Sequence, residues 1–198
     1  TLHDALTASQ KQHVIKSRWV LTWKGEDVKA RLVAKGFTQD VTDVDTYAST
    51  PLLCTLKILL LMALHYNWEI LFGDVSTAFL HALLGPEEHY YVEPPEEYYP
   101  KNSEKKIVWK LKRALYGLKT APKQWQDYFA DVLGELGGER LKSEPNVYYF
   151  AAEKNYVLVY VDDLVVLGTT PKPLFDKIQA KVLLLSLIHI SEPTRHVD

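Results

Sequence analysis

The feature that most constrains this chain is a pair of adjacent acids inside an apolar run. Tyr156, Val157, Leu158, Val159, Tyr160 and Val161 precede Asp162 and Asp163, and Leu164, Val165, Val166 and Leu167 follow them. Burying an uncompensated carboxylate is costly, so a buried strand should not tolerate the pair. A strand also sends successive side chains to opposite faces, so both acids cannot face one core within it. They can share the tip of a tight hairpin, where Asp is favoured and solvent or an ion can reach them. The residues alone leave two readings open: a plain turn with two exposed acids, or a site for a divalent cation.

A third acid bears on that choice. "FGDVSTAF" (72–79) puts Asp74 at the end of another apolar strand, where it enters a helix. Two strands ending in carboxylates can be neighbours in one sheet and converge on a cation. Magnesium takes oxygen ligands, typically one or two carboxylates with phosphates and waters. Three carboxylates can hold two ions, one lowering the pKa of an attacking hydroxyl and the other steadying a leaving phosphate. The helix start after Asp74 offers free N–H groups that suit a triphosphate.

The rest of the chain sets the frame. Its 198 residues fit one domain or two interleaved subdomains. With 47% hydrophobic residues, 12 Tyr and 5 Trp, it can support a packed core. A net charge of -2 excludes a globally basic nucleic-acid coat. The single cysteine, Cys54, excludes a disulfide framework and a Cys-rich zinc site. The longest apolar stretch, "ILLLMAL" (58–64), is too short to span a membrane. The opening "TLHDALTASQ" lacks the apolar core of a signal peptide.

Charge is uneven along the chain. Lys11, Lys16, Arg18, Lys24, Lys29, Arg31 and Lys35 face only Glu26 and Asp27 in the first basic region. Lys101, Lys105, Lys106, Lys110, Lys112, Arg113, Lys119 and Lys123 face only Glu104 in the second. The acidic, Pro-rich "GPEEHYYVEPPEEYYP" (85–100) lies between them. The basic regions either line one polyanion-binding groove or form ordinary solvated faces.

Periodicity predicts a mixed order of elements. "SRWVLTWKGEDVKARLVAKGF" (17–37) reads as two strands around a turn at "KGED". Residues 55–67 read as a helix, 68–75 as a strand, and 76–84 as a short helix halted by Gly85-Pro86. "YYVEPP" and "KIVWKLKRALYG" offer two strand segments. Residues 121–138 form a helix with Pro122 in its first turn, a Trp125, Phe129, Val132, Leu136 stripe, and Gly137-Gly138 at its end. Residues 146–168 give three strands, turning at "EKN" and at the Asp pair. A final helix covers 172–185.

Four segments then meet a known pattern. "KARLVAKGFTQ" (29–39), "DVSTAFLH" (74–81), "LKRALYGLKTAPKQW" (111–125) and "YVLVYVDDLVVLG" (156–168) resemble copia-type retrotransposon reverse transcriptases, in order and spacing. The resemblance runs from about residue 12 to residue 183. It implies an α+β fold, the fingers and palm of a right-hand polymerase, with the palm a ferredoxin-like βαββαβ sheet. It implies templated DNA synthesis from RNA or DNA with a primer, dNTPs and two Mg2+ ions, Mn2+ being a possible substitute. Asp74, Asp162 and Asp163 match the metal-binding carboxylates. Phe79 matches the aromatic that closes against the sugar 2′-hydroxyl; by its own pattern it is equally a core residue of an amphipathic helix. Lys29 and Arg31 match a basic strand that meets the triphosphate, a role suited to cations; alone they read as a solvated strand face. Lys123 matches a basic position near the nucleotide sugar, and alone is a charged first-turn residue. Trp125 reads as core.

By this resemblance residues 12–68 are mainly fingers and 69–84 the first palm strand and helix. Residues 85–115 are an insertion with the acidic loop, and 116–185 the palm with its catalytic hairpin. Strand geometry suggests that Asp162 shares the Asp74 site while Asp163 points partly away. Thr120 and Gln124 depart from the family pattern, which has Gln and a small residue there. "SLIHISEPTRHVD" (186–198) does not continue the pattern and looks like translated adapter sequence, to be left out of fold reasoning. The expectation is then a truncated chain without the thumb, inactive alone. An intact element would be intracellular, in a cytoplasmic virus-like particle, with no membrane partner. The rival reading is a domesticated or inactive relic that at most binds nucleic acid.

Overall fold

The computed structural model describes residues 6–39, 41, 44–85, 88–99, 106–182 and 184–190. Its helices are α1 (Ala8–Gln12), α2 (Leu53–Tyr66), α3 (Ala121–Glu135) and α4 (Pro171–Lys181). Its strands are β1 (Val14–Lys24), β2 (Asp27–Ala34), β3 (Glu69–Val75), β4 (Tyr91–Glu93), β5 (Trp109–Lys110), β6 (Glu139–Arg140), β7 (Val147–Phe150), β8 (Asn155–Tyr160), β9 (Asp163–Gly168) and β10 (Leu184–Ile190). They divide into two units. Thr1–Tyr47 and Phe79–Trp125 make the first, Ala48–Ala78 and Gln126–Asp198 the second. The expected boundaries at 68, 84 and 115 are not those of these units: α2 and β3 share the second unit, and residues 116–125 fall in the first with β1 and β2.

In the first unit, Lys24 pairs with Asp27, leaving Gly25 and Glu26 as a two-residue turn with Gly25 at φ +65°. The sheet runs β2-β1-β4-β5, with the start of β1 parallel to β4. Alternation puts Trp19, Leu21 and Trp23 on one face with Leu32, Ala30 and Val28, and Lys29 and Arg31 on the other. Strands β4 and β5 are shorter than expected, and Pro94-Pro95 ends the first of them. Lys101, Glu104 and Lys105, and Pro86, Glu87 and Pro100 of the acidic loop, lie outside the described residues.

Two of the recognised motifs interlock here. The Ala34 amide donates to the Tyr116 carbonyl at 2.7 Å. A Cβ on Gly36 would overlap the carbonyl of Gly117, and a Cβ on Gly117, at φ +88°, would overlap the carbonyl of Ala34. Close backbone approach is what requires glycine at both positions. Gln39, 5% exposed, then joins the same loop: its amide donates to the Thr120 hydroxyl at 3.3 Å and its oxygen accepts from the Lys119 N–H at 2.7 Å. Thr120 is therefore a buried hydrogen-bond partner, which gives this departure from the family pattern a local reason. Gln124, the other departure, donates to Glu88 at 2.5 Å.

The second unit is built on a six-stranded antiparallel sheet ordered β10-β3-β9-β8-β7-β6. In chain order β3, α3, β8, β9, α4 and β10 form a βαββαβ unit, with β6 and β7 inserted and extending one edge. Leu164 to Leu167 of β9 are all buried, as a strand covered on both faces requires. One face carries Phe72, Val165 and Leu158, which cluster with Leu56 and Leu59 of α2. The opposite face carries Leu71, Val75, Leu164 and Val166. There α4 packs on β3 and β9 through buried Leu174, Phe175 and Ile178. Among the described residues no helix is long and apolar enough to cross a membrane.

Three expected elements differ. Residues 76–84 form only a 3-10 turn over Ala78–His81, because Thr77 takes φ +53° and breaks the helical path. The last helix ends at Lys181 rather than 185, with Val182 extended. The run that follows is a strand: β10 pairs antiparallel with β3 from Leu184↔Val75 to Ile190↔Ile70. Residues 186–190, expected to lie outside the fold, therefore occupy its fourth βαββαβ strand, since the far edge of β3 otherwise leaves backbone groups open. Residues 191–198 lie outside the described residues.

The start of α2 depends on a residue about ninety positions away. Its N-cap, Leu52, has no capping side chain. Glu144, 8% exposed, accepts from the Leu52 N–H at 3.2 Å, the Thr55 hydroxyl at 3.0 Å and the Asn146 amide at 3.1 Å. Burial alone would raise its pKa, but these hydrogen bonds outweigh it and hold the carboxyl below the usual range. Glu144→Ala is expected to cost about 1–3 kcal/mol at pH 7, because three donors lose their acceptor. A group with a lowered folded pKa contributes stability above its ordinary value, near 4.5, and loses it as pH falls through the lowered one. Urea unfolding of variant and parent should therefore converge in acid.

Candidate active site

The site begins with a turn. Tyr160 pairs with Asp163, so the β8–β9 hairpin closes through Val161 and Asp162 alone. Val161 sits at φ +56°, a left-handed conformation that a β-branched residue adopts at a cost of about 1–3 kcal/mol. Only the first of the two loop residues has positive φ, the position that a two-residue turn of this hand normally gives to glycine. The loop is also tied sideways: the Val75 amide donates to the Asp162 carbonyl at 2.8 Å. The turn thus falls one residue earlier than expected. Asp162 is in the loop and Asp163 opens the strand.

That shift changes which acid meets Asp74. In the β3–β9 pairing Asp74 lies directly opposite Asp163. Cross-strand partners project from the same face with Cβ atoms about 4.5–5.5 Å apart. Asp163, expected to point partly away, is the acid that faces Asp74. The reason is the register, which a two-residue loop fixes and which alternation alone does not reveal. Asp162 joins them from the turn.

Asp162 and Asp74 both act on Asp163. Partial loss of water pushes the Asp163 carboxyl above its ordinary value, and the charges of Asp162 and Asp74 push it further. A raised acid pKa means that the folded chain binds its proton more tightly than the unfolded one. Stability from this group is present below the ordinary value, near 3.8, and is lost as pH rises through the raised value. Asp163→Asn should therefore raise the melting temperature of the metal-free chain at pH 7, with the gain shrinking towards pH 3. Among the described residues no group of three or more His, Cys, Asp or Glu side chains closes around a point. Two facing carboxylates with a third on the adjacent turn nonetheless match the donors magnesium takes, since phosphates and waters supply the rest.

The other expected residues belong to the first unit. Lys29 and Arg31 share the exposed polar face of β2, opposite Thr22 and Val20. Phe79 packs its ring against Tyr116 at 4.9 Å between centroids. Lys123 lies in the first turn of α3, and Trp125 is 2% exposed, a core residue as read. The described bases of both regions fall in this unit. Two residues went unassigned in the sequence. Tyr116 was visible only as part of the "LYGL" motif, and the Val161 conformation had no signal beyond the missing glycine.

Comparison with known proteins bears directly on this geometry. A family model described as reverse transcriptase (RNA-dependent DNA polymerase) matches residues 2–186. The retrovirus-related Pol polyprotein from transposon TNT 1-94 of Nicotiana tabacum is 34% identical over 165 residues, 78% of this chain and 12% of that protein. The corresponding polyprotein from transposon RE1 of Arabidopsis thaliana is 32% identical over 168 residues, 80% of this chain and 11% of that protein. The transposon Ty1-BL Gag-Pol polyprotein of Saccharomyces cerevisiae is 29% identical over 178 residues, 85% and 10% respectively. The chain therefore spans about an eighth or less of the length of these relatives. Among solved structures, an apo telomerase from Candida Tropicalis truncated from its C-terminal domain aligns at TM-score 0.48 and 9% identity, over 95% of this chain and 52% of that one.

Proposed function

The chain belongs to the reverse transcriptase (RNA-dependent DNA polymerase) family, and from that premise we propose that it carries the catalytic core of a copia-type RNA-directed DNA polymerase. The reaction joins a dNTP to a primer 3′-hydroxyl on an RNA or DNA template. The observation that carries the reading is the Asp74–Asp163 pair across β3 and β9, with Asp162 on the neighbouring turn. In this reading the second unit is the palm and the first the fingers.

Asp74, Asp162 and Asp163 hold two magnesium ions, with manganese as a substitute. When bound, such ions lower the pKa of an attacking hydroxyl and offset charge on the leaving pyrophosphate. The residues do the rest. Lys29 and Arg31 present cations to the triphosphate from an exposed strand face. Phe79, backed by the Tyr116 ring, screens the sugar 2′ position. Lys123 adds a basic group near the sugar.

A chimera tests this. Residues 12–183 replace the matching segment of an active copia-type polyprotein, and dNTP incorporation is followed on poly(rA) primed with oligo(dT). Magnesium-dependent extension is expected. A folded chimera that makes no DNA would leave the inactive-relic reading standing instead.

A further inference from the structure

A cavity of about 680 Å3 lies in the second unit beside the first turn of α2. Its walls are apolar: Leu56 from the helix, Phe72 from β3, Leu158 from β8 and Val165 from β9. Asp74 and Asp163 also line it. Register explains the combination. Phe72, Val165 and Leu158 form one cross-strand row, and Asp74, Asp163 and Tyr160 form the next row on the same face. Rows two residues apart are separated by about 7 Å along the strands. An apolar row thus adjoins an anionic one within a single hollow. A volume of this size, mostly apolar with a few convergent polar groups, is the form small-molecule sites take.

We propose that this cavity binds a compact aromatic amine, its rings against Leu56, Phe72, Leu158 and Val165 and its ammonium between Asp74 and Asp163. Charge decides among occupants. A neutral apolar molecule leaves the two carboxylates unanswered, and an anion meets two like charges. An ammonium on a two-ring body answers both rows at once. The inference goes beyond the polymerase reading. It is measured without metal or nucleotide, so its failure leaves that reading untouched.

The test is isothermal titration of the 198-residue chain at low salt with three matched probes: 3,3-diphenylpropylamine, 3,3-diphenylpropan-1-ol and 3,3-diphenylpropanoic acid. The amine is expected to bind best, at about 0.1–1 mM, and at least about tenfold more tightly than the acid. Asp163→Asn should bring the amine down to the affinity of the alcohol. Leu56→Trp, which fills the hollow from the helix side, should abolish amine binding, with folding checked by thermal melting. Should that variant unfold, Leu52→Trp replaces it, because Leu52 lines the same hollow and is 64% exposed. Equal affinity for amine and acid overturns the proposal. So does amine binding that survives in a folded tryptophan variant, or that Asp163→Asn leaves unchanged.

Discussion

Asp74→Asn is expected to lower DNA synthesis in the chimera by at least about a thousandfold, while the melting temperature of the chain holds or rises. Asparagine is nearly isosteric and keeps the β3 backbone free to pair with β9 and β10. It removes the anionic oxygen through which this position would bind a cation. It also removes one of two like charges facing each other across the pairing. That relief is worth at most about 1 kcal/mol at a half-exposed site, so the stability change is small and favourable. Opposite signs in activity and stability mark a residue kept for chemistry. Activity within tenfold of the parent, or a melting temperature several degrees lower, would show that Asp74 is structural instead.

Gly117→Ala is expected to be the most damaging single-methyl change in the first unit. The added carbon meets the Ala34 carbonyl and the Val33 side chain, and the residue already sits at φ +88°. Neither obstacle is the far end of a flexible side chain. Relieving the overlap means breaking the Ala34–Tyr116 backbone bond that joins β2 to the "LYGL" loop. A cost above about 3 kcal/mol follows. Gly25→Ala is the control, with φ +65° but open space around it, and should cost only about 1 kcal/mol. Denaturant unfolding compares the two. Similar costs would mean that the interlock contributes nothing.

Much of this was legible because the chemistry left few alternatives. Two adjacent acids suit a turn better than a buried strand, and the structure puts Asp162 in the loop, Asp163 at the first position of β9 and Asp74 one residue before the end of β3. Which of the two faces Asp74 was not legible. It depends on whether the loop has two residues, and Val161 occupies the place where a glycine would have announced it. The helix expected over 76–84 is absent for a similar reason, since nothing in Thr77 signals a positive φ. Glu144 was invisible because its role exists only where its loop meets α2, far away in sequence. The basic face of β2 was visible as alternation, but its relation to the acids is a matter of two separate units.

The outer edge of β3 bears on which strands this sheet can accept. What seats β10 there is main-chain pairing along "LLSLIHI", a run that the family match covers only to residue 186. An edge of that kind selects for extension and greasiness rather than for a particular sequence. A sheet with such an edge can accept a strand of unrelated sequence and still be complete. Without the seven-residue β10, the same edge would be open to a strand from a neighbouring chain and so become a seed for aggregation.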